Sequence, residues 1–182
     1  MFQYDHKIYL PMDSKTKDKH VLIIVEVLSG YVWAFPCKTL ESKELIQTLK
    51  PFFHSLARKP EKIFVDNGSN FISKEHHELL DSLNIEIIHS TPGHSRGRGM
   101  YFYYIFLTLI FLYKGLVEQK HICIVNPLMK YYQNDKNGEW AKYVPDVVSA
   151  YNSTVRRPNS TSPREFLFGL VPSELLPGFV RF

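Results

Sequence analysis

The sequence predicts an α/β domain with a mixed central sheet, an antiparallel meander followed by parallel strands, flanked by helices. Three observations carry this. The first 37 residues hold three strand-like runs with short connections. From there to residue 90, helix-like and strand-like segments alternate, and the later part of the chain has helical periodicity.

The elements follow in order. "FQYDHKIYL" reads as a first strand and "PMDSKTKDK" as a charged connection. "HVLIIVEV" is a continuous β-branched run of the kind covered on both faces. "LSG" turns the chain into the aromatic strand "YVWAFPC", ended by Pro36. In "TLESKELIQTLKPFFHSLA", Leu45, Ile46, Leu49, Phe52, Phe53 and Leu56 fall at helical spacing, with Ser42 as N-cap and Pro51 expected to kink or shorten the helix. "EKIFVD" is a short strand, "NGSNF" a turn, and "SKEHHELLDSLN" a helix capped by Ser73 and stopped at Asn84. "IEIIHS" returns as a strand. "GLVEQKHICIVNPLMKYYQ" and "GEWAKYVPDVVSAYNSTV" are helical, and "RRPNSTSPREFLFG" is a turn-rich exit with a short helical end.

Composition narrows the classes. At 45% hydrophobic and 22% charged residues, the 182-residue chain has a core, which excludes a disordered reading. A formal charge of +4 permits a polyanionic partner without identifying one. Cys37 and Cys123 form no CxxC pair, so neither a disulfide framework nor a cysteine zinc site is expected, and a reducing compartment is. The N-terminus does not read as a signal peptide, giving a nuclear or cytoplasmic, non-secreted expectation. The apolar run from Met100 to Tyr113 is shorter than the roughly 17 residues a spanning helix needs, so no membrane partner is expected.

The sharpest chemical signal is "IFVDNGSNF". An apolar strand delivers Asp66 to its C-terminal edge, where α/β sheets place ligands, and Asn-Gly bends the backbone away. An Asx turn ending a buried strand reads the same way. Asp5 lies mid-strand, where an acid opposes strand propensity; a solvated terminus is the alternative. If the first and fourth strands are neighbours, Asp5 and Asp66 converge, and paired hard oxygen donors favour Mg²⁺ or Mn²⁺ over Zn²⁺. His76 and His77 adjoin on a helix and share no face, so together they make no zinc site.

Several motifs in order make the chain resemble the catalytic core of retroviral and LTR-retrotransposon integrases, polynucleotidyl transferases with a D, D, E triad on an RNase H-like fold. They are "FQYD", "VLSGYVWAFP", "FVDNGSNF", "STPGHSRGRG", "GLVEQKH" and "AYNSTVRRPNSTSPREFLFG". The resemblance covers the chain as one domain, 1–182, apart from an apolar block at 100–115. It implies Asp5, Asp66 and Glu118 as catalytic and metal-binding residues, two Mg²⁺ (or Mn²⁺) ions, and metal-dependent phosphodiester strand transfer that integrates DNA, with no small-molecule substrate. Element ends and target DNA would be the partners, and a homo-oligomer is implied. Lys120, His121, Lys130, His94 and Arg96 are the candidate DNA contacts; a solvated helix cation also fits Lys130, and a flexible surface loop also fits His94 and Arg96. Glu26 stands where many relatives have Asp, and Gln119 where Arg is common.

Glu118 lies 52 positions after Asp66, where the family spacing is 36, and the excess of 16 equals the length of residues 100 to 115. Removing them joins "SRGRG" to "LVEQKH" and restores the spacing. The block therefore reads as an insertion: a retained intron or other noncoding sequence of 48 nucleotides translated in frame, a true apolar extension of the catalytic helix, or a membrane-seeking segment. With no zinc-binding N-terminal module evident, the chain reads as a fragment or decayed copy, and the second functional expectation is a defective or domesticated nucleic-acid-binding domain without catalysis.

Overall fold

The computed structural model describes residues 1–7, 10–89, 120, 122–155 and 160–169. Glu118, His94, Arg96, His121 and the apolar block lie outside these residues.

Five strands form one sheet in the order β3-β2-β1-β4-β5: β1 Phe2–Lys7, β2 His20–Glu26, β3 Val32–Cys37, β4 Lys62–Val65 and β5 Glu86–His89. β1, β2 and β3 pair antiparallel, whereas β1 with β4 and β4 with β5 pair parallel. This is the mixed sheet the sequence predicts. Residues 8–19 and 27–31 join the antiparallel first strands, whereas α1 (Ser42–Ser55) and α2 (Lys74–Ser82) supply the crossovers that parallel pairing requires.

Strand alternation divides the apolar residues between two helical layers. On one face Tyr4, Leu22, Ile24, Ile63 and Val65 pack against Leu45, Leu49 and Phe53 of α1 and Leu80 of α2. On the other, Val21, Ile23, Val25 and Val32 pack against Ile124 and Leu128 of α3, which covers 122–134, and against Val144, Val147 and Tyr151 of α4 (Val144–Ser153). Both faces of β2 are covered, which explains its unbroken apolar run. The second layer covers β2 and β3; no residue of β1 or β4 belongs to its buried cluster, which leaves the β1–β4 strip of that face to other residues.

Local chemistry fixes the remaining joints. Gly30 has φ 69°, a left-handed conformation suited to glycine, and its N–H donates to the Glu26 carbonyl. The Glu26 carboxylate accepts from the Ser29 N–H and hydroxyl, so this acid closes the β2–β3 turn. Asp13, buried in the β1–β2 connection, accepts from the N–H groups of Lys15, Thr16 and Ala141. Burial alone would raise its pKa, but the Thr16, Ala141 and Lys15 amides hold it below the ordinary value. Asn152 is fully buried; its Oδ1 accepts from the Val32 N–H at 2.9 Å and its Nδ2 donates to the Val32 carbonyl at 2.7 Å. The Tyr-Asn motif thus clamps α4 to strand β3.

Two helix details differ from expectation. Ser42 is the first residue of α1, not its cap; Glu41 holds the cap position without a side-chain bond. The helix runs through Pro51 to Ser55, with the Phe52 and Phe53 pair buried beyond it. Each such burial stabilises by about 1.5–3 kcal/mol, enough to offset one lost helical hydrogen bond. Ser73 caps α2 as expected, its Oγ accepting from the His76 N–H, and Asn84 just beyond it has φ 55°. α5 (Pro163–Phe168) carries a complete capping box between Ser162 and Glu165 and ends at Gly169, φ 70°. Among the described residues no helix is long and apolar enough to cross a membrane.

Candidate active site

β1 and β4 place the two aspartates. Phe2 pairs with Ile63 and Gln3 with Phe64; continued two residues, that register would set Asp5, within β1, opposite Asp66, just past the end of β4. Neighbouring strands lie about 4.8 Å apart. Alternation sets both on the face opposite Tyr4 and Val65, in the strip that the α3 and α4 layer leaves. Asp5 is half-buried opposite Ile23 of β2, and Asp66 is exposed.

The turn after β4 holds Asp66 in position. Its Oδ1 accepts from the Gly68 N–H at 2.9 Å, which is the Asx turn that the "DNG" stretch allows. Gly68 is required by close approach: a Cβ there would lie 2.8 Å from Asn70 Oδ1, 3.0 Å from Asp66 Oδ1 and 3.2 Å from Phe71 Cδ2. A second link runs through the opposite face. The Tyr4 hydroxyl donates to His76 Nε2, and His76 Nδ1–H donates to the Phe71 carbonyl at 2.8 Å. Burial raises the Tyr4 phenol well above its ordinary pKa and pushes His76 down to about 4, so both groups are neutral and their donor and acceptor roles are fixed. This chain ties β1, next to Asp5, to the loop following Asp66.

The donor types suit a hard divalent cation: carboxylates on neighbouring strands, with Gln3 two residues before Asp5 on the same face. Gln3 Oε1 is buried and has no hydrogen-bond partner among the described residues. Gln3 was not among the expected site residues, although the aromatic-Gln-x-Asp motif contains it. Two side chains do not complete a metal centre, and among the described residues no group of three ligating side chains gathers. The third expected carboxylate, Glu118, lies outside them.

The expected DNA contacts separate. Lys130 is exposed on α3. Lys120 is only 7% exposed; its ammonium lies 5.6 Å from the centre of the Tyr151 ring and 4.0 Å from where a Cβ on Gly30 would be. It therefore sits at the β2–β3 turn, with its charge against an aromatic face instead of in solvent. Helical spacing gives the signal that was missed: residues 120, 124 and 128 are four apart, and Ile124 and Leu128 line the core. His94, Arg96 and His121 lie outside the described residues.

Comparison with known proteins accords with this geometry. The family model described as integrase core domain matches residues 1–95. The Pro-Pol polyprotein of Feline foamy virus is 28% identical over 151 residues, covering 83% of this chain and 11% of that polyprotein. The Gag-Pol polyprotein of Avian reticuloendotheliosis virus is 27% identical over 157 residues, covering 85% of this chain and 12% of that polyprotein. The chain thus spans about a tenth of these relatives. Among solved structures, the HTLV-2 integrase catalytic core domain in complex with magnesium (trimeric form) aligns with a TM-score of 0.66 and 25% identity, covering 90% of this chain and 93% of that one. The BIV integrase catalytic core domain aligns with a TM-score of 0.66 at 15% identity, covering 93% of each chain, a likeness of fold alone.

Proposed function

The chain belongs to the integrase core domain family, with its RNase H-like fold, and on that premise we propose that it is a polynucleotidyl transferase core acting on DNA ends through Asp5, Asp66 and Glu118. The observation that carries this is the parallel pairing of β1 with β4, whose register, extended by two residues, would put Asp5 and Asp66 at neighbouring positions on one face. Magnesium or manganese held by these acids would supply Lewis-acid activation of the attacking oxygen and charge stabilisation at the leaving 3′-oxygen. The residues themselves do the positioning. Asp5, on a central strand, gives a rigid donor; Asp66, exposed and fixed by the Gly68 amide, faces the approach of a phosphodiester. Glu118 supplies the third carboxylate, supported by its "GLVEQKH" context. Lys130, exposed on α3, is available for phosphate contact. The trimeric form of the HTLV-2 core domain supports an oligomer.

The 16-residue excess before Glu118 favours a second reading, an integrase-like domain that binds nucleic acid without catalysis, with residues 100 to 115 as an insertion that separates the catalytic loop from Glu118. One assay separates the two. The full chain and a variant lacking residues 100 to 115 are compared for Mn²⁺-dependent strand transfer on a short DNA duplex, with Asp5→Asn and Asp66→Asn in each background. Activity in the shortened chain that both substitutions abolish is the expected result. Equal activity with and without the block overturns its reading as an interruption, and no activity in either chain overturns the catalytic reading.

A further inference from the structure

The opposite face of the sheet carries a pair of imidazoles that the carboxylate site does not use. His77 is on α2 and His89 ends β5, the edge strand; both are half-buried and so reachable from solvent. Their Nε2 atoms are 3.4 Å apart, while their ring centres are 5.5 Å apart. The nitrogens are nearer than the centres, so the rings meet through their Nε2 edges. For a tetrahedral ion with metal–nitrogen bonds of about 2.0–2.1 Å, two ligating nitrogens lie roughly 3.3–3.4 Å apart.

The tautomer of His77 fits the same task. Its Nδ1–H donates to the Ser73 carbonyl at 2.9 Å, which leaves the lone pair on Nε2, pointed at His89. His89 Nδ1 is buried without a hydrogen-bond partner among the described residues. No hydrogen bond at Nδ1 thus fixes the proton of His89, which can move from Nε2 to Nδ1 and leave the Nε2 lone pair for an ion between the rings. His76 is not a ligand, since Tyr4 and Phe71 occupy both of its nitrogens. Val65, the β-pair of His89, faces the α1 and α2 layer, which puts this pair on the far side of the sheet from Asp5 and Asp66.

We propose that His77 and His89 form a two-imidazole site for a borderline divalent transition metal, Zn²⁺ in the first instance, with water in the remaining positions. Imidazole nitrogen selects Zn²⁺, Cu²⁺ or Ni²⁺ over Mg²⁺, so the site does not compete for the cation suited to the carboxylates. A bound ion staples α2 to the edge strand and fixes the end of β5.

The test is Zn²⁺ titration of the full chain, followed by calorimetry and by ¹⁵N shifts of the histidine rings. The expected result is a Zn²⁺-dependent shift of the Nε2 signals of His77 and His89, with binding weakened about tenfold or more by either His77→Gln or His89→Gln. An Asp5→Asn/Asp66→Asn double variant should bind Zn²⁺ at these rings as the native chain does, and Mg²⁺ should leave both ring signals unmoved. Ring signals indifferent to Zn²⁺, or equal affinity in both glutamine variants and the native chain, would overturn the site, whatever else in the chain binds the metal.

Discussion

Acidification should weaken the fold through His76 before it weakens it through any carboxylate. His76 is fully buried, and its pKa is pushed down to about 4 by burial, from an ordinary value of 6.5. A histidine depressed in the folded state binds fewer protons there than in the unfolded chain, so its contribution is intact above 6.5 and is lost as pH falls towards 4. With those two values the loss is about 2 kcal/mol between pH 7 and pH 5, approaching about 3 kcal/mol at pH 4. Carboxylates titrate mainly below this window, so the upper part of the drop belongs to histidine. His20, whose pKa burial also lowers, adds a drop of the same sign. The measurement is urea unfolding from pH 7 to 5 for the native chain and for a Tyr4→Phe/His76→Phe double variant, which removes the hydroxyl and its acceptor together and limits the unsatisfied groups left behind. The variant should lose about 2 kcal/mol less than the native chain across that range. Parallel pH profiles for the two proteins would refute the account of a neutral imidazole held between Tyr4 and Phe71.

Other substitutions read other joints. Gly68→Ala, which forces a methyl group against Asn70, Asp66 and Phe71, should cost about 1–3 kcal/mol in chemical unfolding and weaken Mn²⁺ binding by displacing the Asp66 carboxylate. Asn152→Ala leaves the Val32 N–H and carbonyl unpaired under α4 and should cost about 2–4 kcal/mol; unchanged stability would mean water replaces the amide. Ser162→Ala removes one half of the α5 capping box and should cost about 1 kcal/mol, seen as a lowered thermal midpoint.

Much of the fold was legible because short-range chemistry and burial agree. The continuous apolar run of β2 has one physical solution, a strand covered on both faces, and the structure has it. Ser73 and Asn84 mark α2 because a hydroxyl caps free amides and asparagine tolerates a left-handed stop. The reading failed where tertiary packing outweighed propensity. Pro51 does not cut α1 short: the helix runs on to Ser55, because Phe52 and Phe53 gain more from the core than the proline costs. Lys120, a candidate DNA contact by its charge, has its ammonium 5.6 Å from the centre of the Tyr151 ring, a placement that charge alone does not predict.

The candidate site was legible for a narrower reason. An aspartate mid-strand and another at a strand end become neighbours only if β1 and β4 are adjacent and in register, and no local signal fixes adjacency. What fixes it here is long-range: the Tyr4, His76 and Phe71 chain crosses from β1 to the turn after Asp66. His76 reads in the sequence as half of an adjacent histidine pair without a shared face, and its partner, Tyr4, is 72 positions away. The same two histidines divide by face. His76 turns inward to lock the strands that carry the carboxylates, and His77 turns towards His89 at the sheet edge. An identical pair of residues therefore serves two structures one residue apart, which only the α2 helical rotation, about 100° per residue, separates.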